Sequence, residues 1–110
     1  MIRVNVNRNP SGRISSFTME GHAEFAEHGK DLVCAGATSV SFGALNAILS
    51  LTDAKLGIEQ GEEGGFLRCI VPENLPSAEA DKVQLLLEGM LVSLQTIERE
   101  YSKHIKITFH

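Results

Sequence analysis

The sequence has few aromatic residues, few cysteines and no excess of positive charge. Its 110 residues include five Phe, one Tyr and no Trp, so the core has to be built from aliphatic side chains and Ala. The formal net charge is −4, which gives no general electrostatic affinity for phosphate backbones and disfavours direct binding to nucleic acid. An acidic chain is better suited to a positively charged partner, such as a basic protein substrate.

Neither a secretory leader nor a membrane span is expected from the pattern of apolar residues. Met1 is followed directly by alternating apolar and polar residues, and the most apolar stretch, Val40 to Leu51, is short and contains several polar residues. The two cysteines, Cys34 and Cys69, are therefore expected to be free thiols in a cytoplasmic protein. The length predicts a single domain spanning residues 1–110.

The periodicity predicts an α+β fold, with two helices packed on a mostly antiparallel sheet in a sandwich-like arrangement. The predicted order is strand, strand, helix, strand, strand, helix, strand. Its segments are strands at Ile2–Arg8, Ile14–Met19, Leu56–Gln60, Phe66–Val71 and Ile105–Phe109, and helices at Ala35–Leu51 and from an N-cap at Ser77 to Tyr101.

The first predicted helix carries apolar side chains around much of its circumference. Val40, Ala44, Ala47 and Leu51 fall on one face, and further leucines and isoleucines widen the stripe. Such a helix is expected to be packed on more than one side. No period is visible between Gly21 and Val33, and a loop of this length in a compact domain is commonly functional.

Cys34 follows that loop and is expected at its junction with the first helix. The free backbone N–H groups and the dipole of a helix N-terminus favour a thiolate, and the same N–H groups suit a developing oxyanion. The backbone N–H of Ala35 is a candidate donor of this kind. The alternative is that Cys34 is only a small buried residue at the start of a helix.

His22 lies at the other end of the same loop, in Gly21-His22-Ala23. A loop of this length can fold back so that the imidazole meets the thiol of Cys34, which is the arrangement of a Cys/His nucleophile. An isolated histidine is otherwise more often a surface or structural residue.

Asp31 is a third candidate, because it precedes Cys34 by three residues. It could orient His22, or it could serve only as a capping acid for the helix. His28 and Lys30 lie in the same loop. Each could contact substrate, or each could be part of the solvated surface. A metal site built from the loop side chains has no recognisable ligand spacing, and no metal or cofactor is predicted. Cys69, inside a predicted strand, is expected in the core.

The motif Gly21-His22-Ala23, followed by the segment from Gly29 to Ala35 (GKDLVCA) and by Thr38, resembles the Prp family of ribosomal-processing cysteine proteases. The similarity extends over nearly the whole chain and includes Phe42-Gly43, Asn46-Ala47-Ile48 and the segment from Met90 to Glu98.

The resemblance implies a homodimeric bacterial endopeptidase that removes the N-terminal extension of a large-subunit ribosomal protein. It makes Cys34 the nucleophile and His22 the general base and acid. Asp31, Ala35 and Thr38 take supporting positions. The remaining positions matched to the family's substrate loop are Gly21, Ala23, Gly29 and Lys30.

Two other classes of function remain open on the sequence. The first is a module that binds a ribosomal protein without cutting it, which would need no reactive thiol. The second is a thiol redox protein, which would need Cys69 as the resolving partner of Cys34.

Overall fold

The fold is built on a five-stranded sheet with the strand order β3-β4-β2-β1-β5, seen in a computed structural model that describes residues 1–22, 31–62 and 65–110. Neighbouring strands are antiparallel except for β1 and β5, which are parallel. The α+β class and the order of elements are as predicted. The elements are β1 (Ile2–Arg8), β2 (Ile14–Glu20), α1 (Leu32–Leu51), β3 (Gly57–Gln60), β4 (Phe66–Ile70), α2 (Ser77–Glu100) and β5 (Ile105–Phe109).

Alternation along the strands gives the sheet one buried and one polar face. Val4, Met19 and Leu67 lie in one row across β1, β2 and β4, and all three are buried. The neighbouring residues Arg3 and Arg68 point to the opposite face and are exposed. An antiparallel sheet with one solvated face requires both helices on the other face, because the aliphatic side chains there need cover.

Helix α2 runs in the same direction as β2. Near its start, the side chain of Gln84 bonds both backbone groups of Ile14, at 2.8 and 2.9 Å. Near its end, Glu98 accepts a hydrogen bond from the backbone N–H of Ile107 at 2.7 Å, and Ile107 lies in the same row of the sheet as Met19. The C-terminal end of α2 therefore lies at the end of the sheet where β2 finishes.

Helix α1 packs antiparallel to α2. At one end a Cβ placed on Gly36 would lie 3.7 Å from Cδ1 of Ile97, and at the other end the backbone N–H of Asp53 donates to Glu79 at 2.9 Å. Since α1 and α2 run in opposite directions, the first turn of α1 lies at the same end of the sheet as the C-terminus of β2. This places the two segments that carry Cys34 and His22 together at one end of the molecule.

Both helices begin one or more residues before their predicted starts. Helix α1 begins at Leu32 with Asp31 as its N-cap, so Cys34 lies inside the first turn and not at a junction before the helix. The cap by Asp31 accounts for the early start of α1. Its carboxylate accepts a hydrogen bond from a first-turn backbone N–H that has no partner within the helix. Helix α2 has Pro76 as its N-cap, and the predicted cap Ser77 is its first residue. The fixed φ of proline suits this position at a helix start.

The buried face of α1 differs from the predicted one. Its buried residues are Val33, Ala37, Ser41, Leu45 and Ile48, whereas Leu51 is 67% exposed. Ala37 and Ser41 have small side chains, and Ser41 contacts Met19 of β2, so a periodicity of large apolar residues did not show this face. Helix α1 packs on α2 near Gly36 and on β2 at Ser41, as expected for a helix covered on more than one side, although Leu49 is 48% exposed.

Helix α1 is long and apolar enough to cross a membrane, by length and composition alone. Helices that pack on the core of soluble proteins satisfy the same criterion. Its 20 residues exceed the short stretch expected from the sequence because the helix begins at Leu32. Its buried face packs on the core formed with the sheet and α2, which accounts for the apolar composition on that side.

Candidate active site

The chain leaves β2 through a glycine whose conformation is fixed by its neighbours. Gly21 has a φ of +89°, and a Cβ at this position would overlap the backbone carbonyl oxygen of Met1. Its N–H donates to the backbone oxygen of Gly65 at 2.8 Å. Only glycine fits this conformation and this contact, so the direction in which His22 emerges is determined by the turn.

The imidazole of His22 lies against the turn between β3 and β4. Its Nε2 and Cε1 atoms are 3.0 and 3.3 Å from the position that a Cβ would occupy on Gly65. Gly65 itself has a φ of +75°. The imidazole therefore occupies space that a side chain at residue 65 would fill. His22 as a whole residue is exposed.

Cys34 is the third residue of α1 and is only half-buried, with its side chain packed against the edge of the core. Cys34 is therefore in contact with the core and is still accessible to solvent. Cys34 lies in the first turn of α1, the end at which a helix dipole interacts favourably with negative charge, and the carboxylate of Asp31 lies at the same end.

A contact between α1 and β2 allows the positions of Cys34 and His22 along the strand direction of the sheet to be compared. Ser41 Oγ lies 3.6 Å from Met19 Sδ, a contact that is fully buried. Cys34 lies two turns of helix from Ser41, about 10 Å, and β2 ends at Glu20, one residue beyond Met19, where the turn at Gly21 leads to His22. Because the two elements run in opposite directions, both displacements lead to the same end of the sheet.

Asp31 caps the first turn of α1. Its Oδ1 accepts a hydrogen bond from the backbone N–H of Cys34 at 3.0 Å, and its carbonyl oxygen accepts from the N–H of Ala35 at 3.0 Å. The capping interpretation of Asp31 is therefore confirmed. Orientation of His22 by this carboxylate stays a prediction.

The cap also bears on the expected oxyanion donors. The N–H groups of Cys34 and Ala35 both point at Asp31, so an oxyanion would share or replace these bonds. Thr38 lies one turn after Cys34 on the same side of the helix and is exposed. A supporting role for Thr38 stays a prediction.

Three of the expected substrate-loop residues, Ala23, Gly29 and Lys30, lie outside the described residues, as does His28. Gly21 is described and forms the turn before His22. Among the parts of the chain that are described, no three His, Cys, Asp or Glu side chains form a group suited to a metal ion.

Cys69 is fully buried on β4, between Phe17 on β2 and Ile58 on β3. Burial raises the pKa of its thiol to about 11, because the charged form would lose its hydration. Both cysteines are free thiols. Cys69 is thus a core residue, as predicted, and it is poorly suited to resolve a disulfide at the surface.

Sequence reasoning missed Gly65. The glycines between residues 61 and 65 predict a turn, but the contact of Gly65 with His22 joins positions far apart in sequence. A positive φ requirement at the last glycine of the turn is the signal that sequence offers, and it does not identify the partner.

Comparison with known proteins gives consistent results over the whole chain. The sequence model of the family described as Cysteine protease Prp matches residues 1–106. The chain is 48% identical to the ribosomal processing cysteine protease Prp of Bacillus subtilis (strain 168), over 98% of this chain and 96% of the relative. It is 41% identical to the protein of the same name from Staphylococcus aureus (strain Mu50), over 99% of each chain.

Solved structures show the same fold. The essential ribosomal processing protease Prp from S. aureus in complex with a covalently linked product peptide has a TM-score of 0.93 at 40% identity, and each chain is covered completely. The S. aureus structure with a substrate peptide has a TM-score of 0.86 at 39% identity, again with complete coverage. The chain belongs to the Prp family of cysteine proteases and is a cysteine peptidase.

Proposed function

We propose that the chain is a cytoplasmic endopeptidase that removes the N-terminal extension of a large-subunit ribosomal protein. The relatives from B. subtilis and S. aureus carry the name ribosomal processing protease, and the S. aureus protein has been captured with substrate and product peptides. The net charge of −4 suits a basic ribosomal protein as substrate and opposes direct binding to RNA.

The observation that carries the proposal is the half-exposed Cys34 in the first turn of α1, at the same end of the sheet as His22. A structural cysteine would be expected to be enclosed in the way that Cys69 is. A reactive one needs access, a favourable helix terminus and a proton acceptor within reach.

The proposed reaction is acyl transfer to the thiol. His22 accepts the proton of the Cys34 thiol, and the thiolate attacks the scissile carbonyl to form a tetrahedral intermediate. The C–N bond then breaks, and His22 returns its proton to the leaving amine. Water, deprotonated by the same imidazole, hydrolyses the thioester, which releases the carboxylate product and restores the thiol.

We also propose supporting roles for residues of the first turn of α1 and of the loop before it. The backbone N–H of Ala35 is proposed as an oxyanion donor, and since it now donates to Asp31, the developing charge has to compete with the cap. Asp31 holds the turn in place, and Thr38 borders the bound chain. Ala23, Gly29 and Lys30, with Gly21, are proposed to contact the substrate.

A homodimer is part of the proposal. Helix α2 exposes Leu85 (74%) and Val92 (60%), which lie two turns apart on one side of the helix. Apolar side chains repeated along one exposed face are typical of a surface that packs against a second copy.

The test is to incubate the purified chain and its Cys34→Ala variant with a large-subunit ribosomal precursor, and to follow the mass of the precursor. The wild-type chain is expected to shorten it at one bond near the N-terminus. The variant is expected to leave it intact while binding it and melting at the same temperature as the wild type.

The alternative function, a ribosomal-protein-binding module without chemistry, gives a different pattern. Wild type and variant would then bind the precursor equally, and neither would shorten it. Shortening of the precursor by the Cys34→Ala variant would contradict the assignment of the nucleophile.

A further inference from the structure

The two edges of the sheet differ in how well they are protected against pairing with another chain. At the β5 edge, the backbone N–H of Ile107 already donates to the carboxylate of Glu98 on α2. At the other edge lies β3, which pairs with β4 in an unbroken register. Exposed edge strands are commonly protected by lysine, proline or a bulge, and β3 has none of the three.

The backbone groups of β3 that face away from the sheet follow from the alternation of the ladder. The N–H of Gly61 donates to the carbonyl oxygen of Phe66 at 3.1 Å, so every second residue of β3, counted back from Gly61, faces β4. The N–H and C=O groups of Ile58 and Gln60 therefore point outward. Within residues 1–22, 31–62 and 65–110, no hydrogen bond to these outward groups is present.

This open edge ends beside the candidate active site. The bond between Gly61 and Phe66 joins the end of β3 to the residue that follows Gly65, and the imidazole of His22 lies against Gly65. Neighbouring strands are about 4.8 Å apart, so a strand added outside β3 would lie about 10 Å from β4. An extended chain covers that distance in about three residues, at about 3.3 Å per residue. A polypeptide whose scissile bond lies beside His22 therefore reaches the open edge.

We propose that β3 binds the main chain of the substrate as an added strand, through the outward N–H and C=O groups of Ile58 and Gln60. The inference rests on the proposed protease function and adds a site that recognises the backbone of the substrate and not its side chains. Strand addition at a sheet edge binds extended peptides in several unrelated families of proteins.

The short length of β3 favours a substrate over a second copy of this chain as the occupant. Its four residues offer a few hydrogen bonds, which suits a peptide that has to leave after cleavage. A stable dimer buries on the order of 1,200–2,000 Å², and an edge of this length supplies little of that area.

The first test compares Gln60→Pro with Gln60→Ala in cleavage of a peptide that has eight substrate residues on each side of the scissile bond. Both variants lose the exposed side chain of Gln60, but only proline also removes the outward N–H. Neither removes a bond between β3 and β4, because this N–H does not face β4. Gln60→Pro is expected to lower kcat/KM roughly three- to tenfold, the effect of one lost hydrogen bond, and Gln60→Ala should match the wild type.

The second test leaves the protein unchanged, so it decides the question even if the melting temperature shows that Gln60→Pro is unfolded. One amide of the peptide at a time is replaced by an ester, which removes a single N–H donor. On one side of the scissile bond, starting about three residues from it, kcat/KM should fall at every second position, because alternate residues of an added strand face β3. Esters at the positions between serve as controls and should be cut as well as the all-amide peptide.

Equal kcat/KM values for folded Gln60→Pro and Gln60→Ala would overturn the inference, as would an ester series without alternation. A dimer that dissociates in Gln60→Pro, measured by analytical ultracentrifugation, would place a second copy at the edge and overturn it too. In each of these cases the wild type still cuts the all-amide peptide, so the protease function stands. Failure of the wild type to cut that peptide would instead overturn the proposed function, and the inference with it.

Discussion

At the scale of single residues, the chemistry of this protein depends on differences in burial between side chains of the same type. The two cysteines show this: Cys34 is half-exposed at a helix start, whereas Cys69 is enclosed by the sheet and its pKa is raised to about 11 by burial. A loop bounded by Cys34 and His22 left a reactive pair and a purely structural reading open, and the resemblance to the Prp family made the reactive pair a prediction. The sequence could not identify Gly65, whose role exists only through a contact formed on folding.

Alkylation is predicted to separate the two thiols. Near neutral pH, iodoacetamide should modify Cys34 in the native protein and leave Cys69 unmodified, because Cys69 is inaccessible and almost fully protonated. In denaturant both should react. Peptide mapping by mass spectrometry measures the modification of each site, and native labelling of Cys69 at the rate of Cys34 would contradict the described burial.

Replacement of Gly65, which lies against His22, is predicted to lower kcat in addition to lowering stability. Gly65 and Gly12 have similar positive φ values of +75° and +85°, so alanine at either position should cost about 1–2 kcal/mol of unfolding free energy. Only at Gly65 would the new Cβ approach an imidazole, at 3.0 Å from Nε2, whereas nothing lies within 4 Å of a Cβ on Gly12.

The measurements are therefore the unfolding free energy and kcat of Gly65→Ala and Gly12→Ala. Comparable destabilisation is expected, with a fall in kcat for Gly65→Ala alone as His22 is displaced. Equal kcat values for the two variants, below their melting temperatures, would show that the position of His22 does not depend on this contact.

At the scale of elements, a few polar contacts fix how the helices sit on an otherwise apolar sheet. Glu88 on α2 accepts two hydrogen bonds from the guanidinium of Arg8 on β1, at 2.8 and 2.9 Å. Glu98 on α2 bonds the backbone N–H of Ile107 on the edge strand β5, which also blunts that edge against further pairing. The direction of α2 along the sheet, and hence the location of the site, follows from such contacts.

The prediction of the two helices differed in quality for a physical reason. Large apolar residues at steps of three and four define the buried side of α2, and Val83, Leu87, Met90 and Leu94 are buried as expected. Helix α1 buries the small residues Ala37 and Ser41, which carry little signal in a periodicity of large apolar residues. The early start of α1 depends on a side-chain cap, which the sequence offered only as one of two roles for Asp31.

The Arg8–Glu88 pair is predicted to make stability depend on pH. The hydrogen bond from Arg8, assisted by its charge, lowers the pKa of Glu88, with burial opposing the shift. A carboxylate with a lowered pKa stabilises the fold above its unfolded pKa of about 4.3, and this stabilisation is lost as the pH falls through the folded value. Glu88→Gln should therefore be less stable than the wild type at neutral pH by up to about 1 kcal/mol, since the pair is partly exposed.

Urea denaturation at several pH values checks the prediction, with Asp81→Asn as the control. Asp81 pairs with Arg13, but its side chain is 66% exposed compared with 43% for Glu88, so the control should cost less. The gap between the wild type and Glu88→Gln should close in acid. A gap that stays constant down to the lowest pH at which the protein folds would assign the loss to packing and not to charge.

At the scale of the whole molecule, the fold gathers at one end of the sheet what the sequence places on either side of a loop. His22 follows the end of β2 and lies against Gly65, which precedes β4, and Cys34 lies in the first turn of α1. Strand order and helix direction could not be read from periodicity, because they depend on contacts such as Gln84 with Ile14 and Asp53 with Glu79. The class and the order of elements could be predicted, since alternation and helical spacing are local properties.

The central claim is that Cys34 forms a thioester with the substrate, and the most direct measurement is to find that bond. The wild-type chain is mixed with a substrate peptide, quenched in acid within the first turnover, and mapped by mass spectrometry. An acyl adduct is expected on Cys34 and none on Cys69, with neither adduct nor cleavage in Cys34→Ala. Cleavage by Cys34→Ala, or an adduct that forms on another residue and disappears at the rate of turnover, would contradict it.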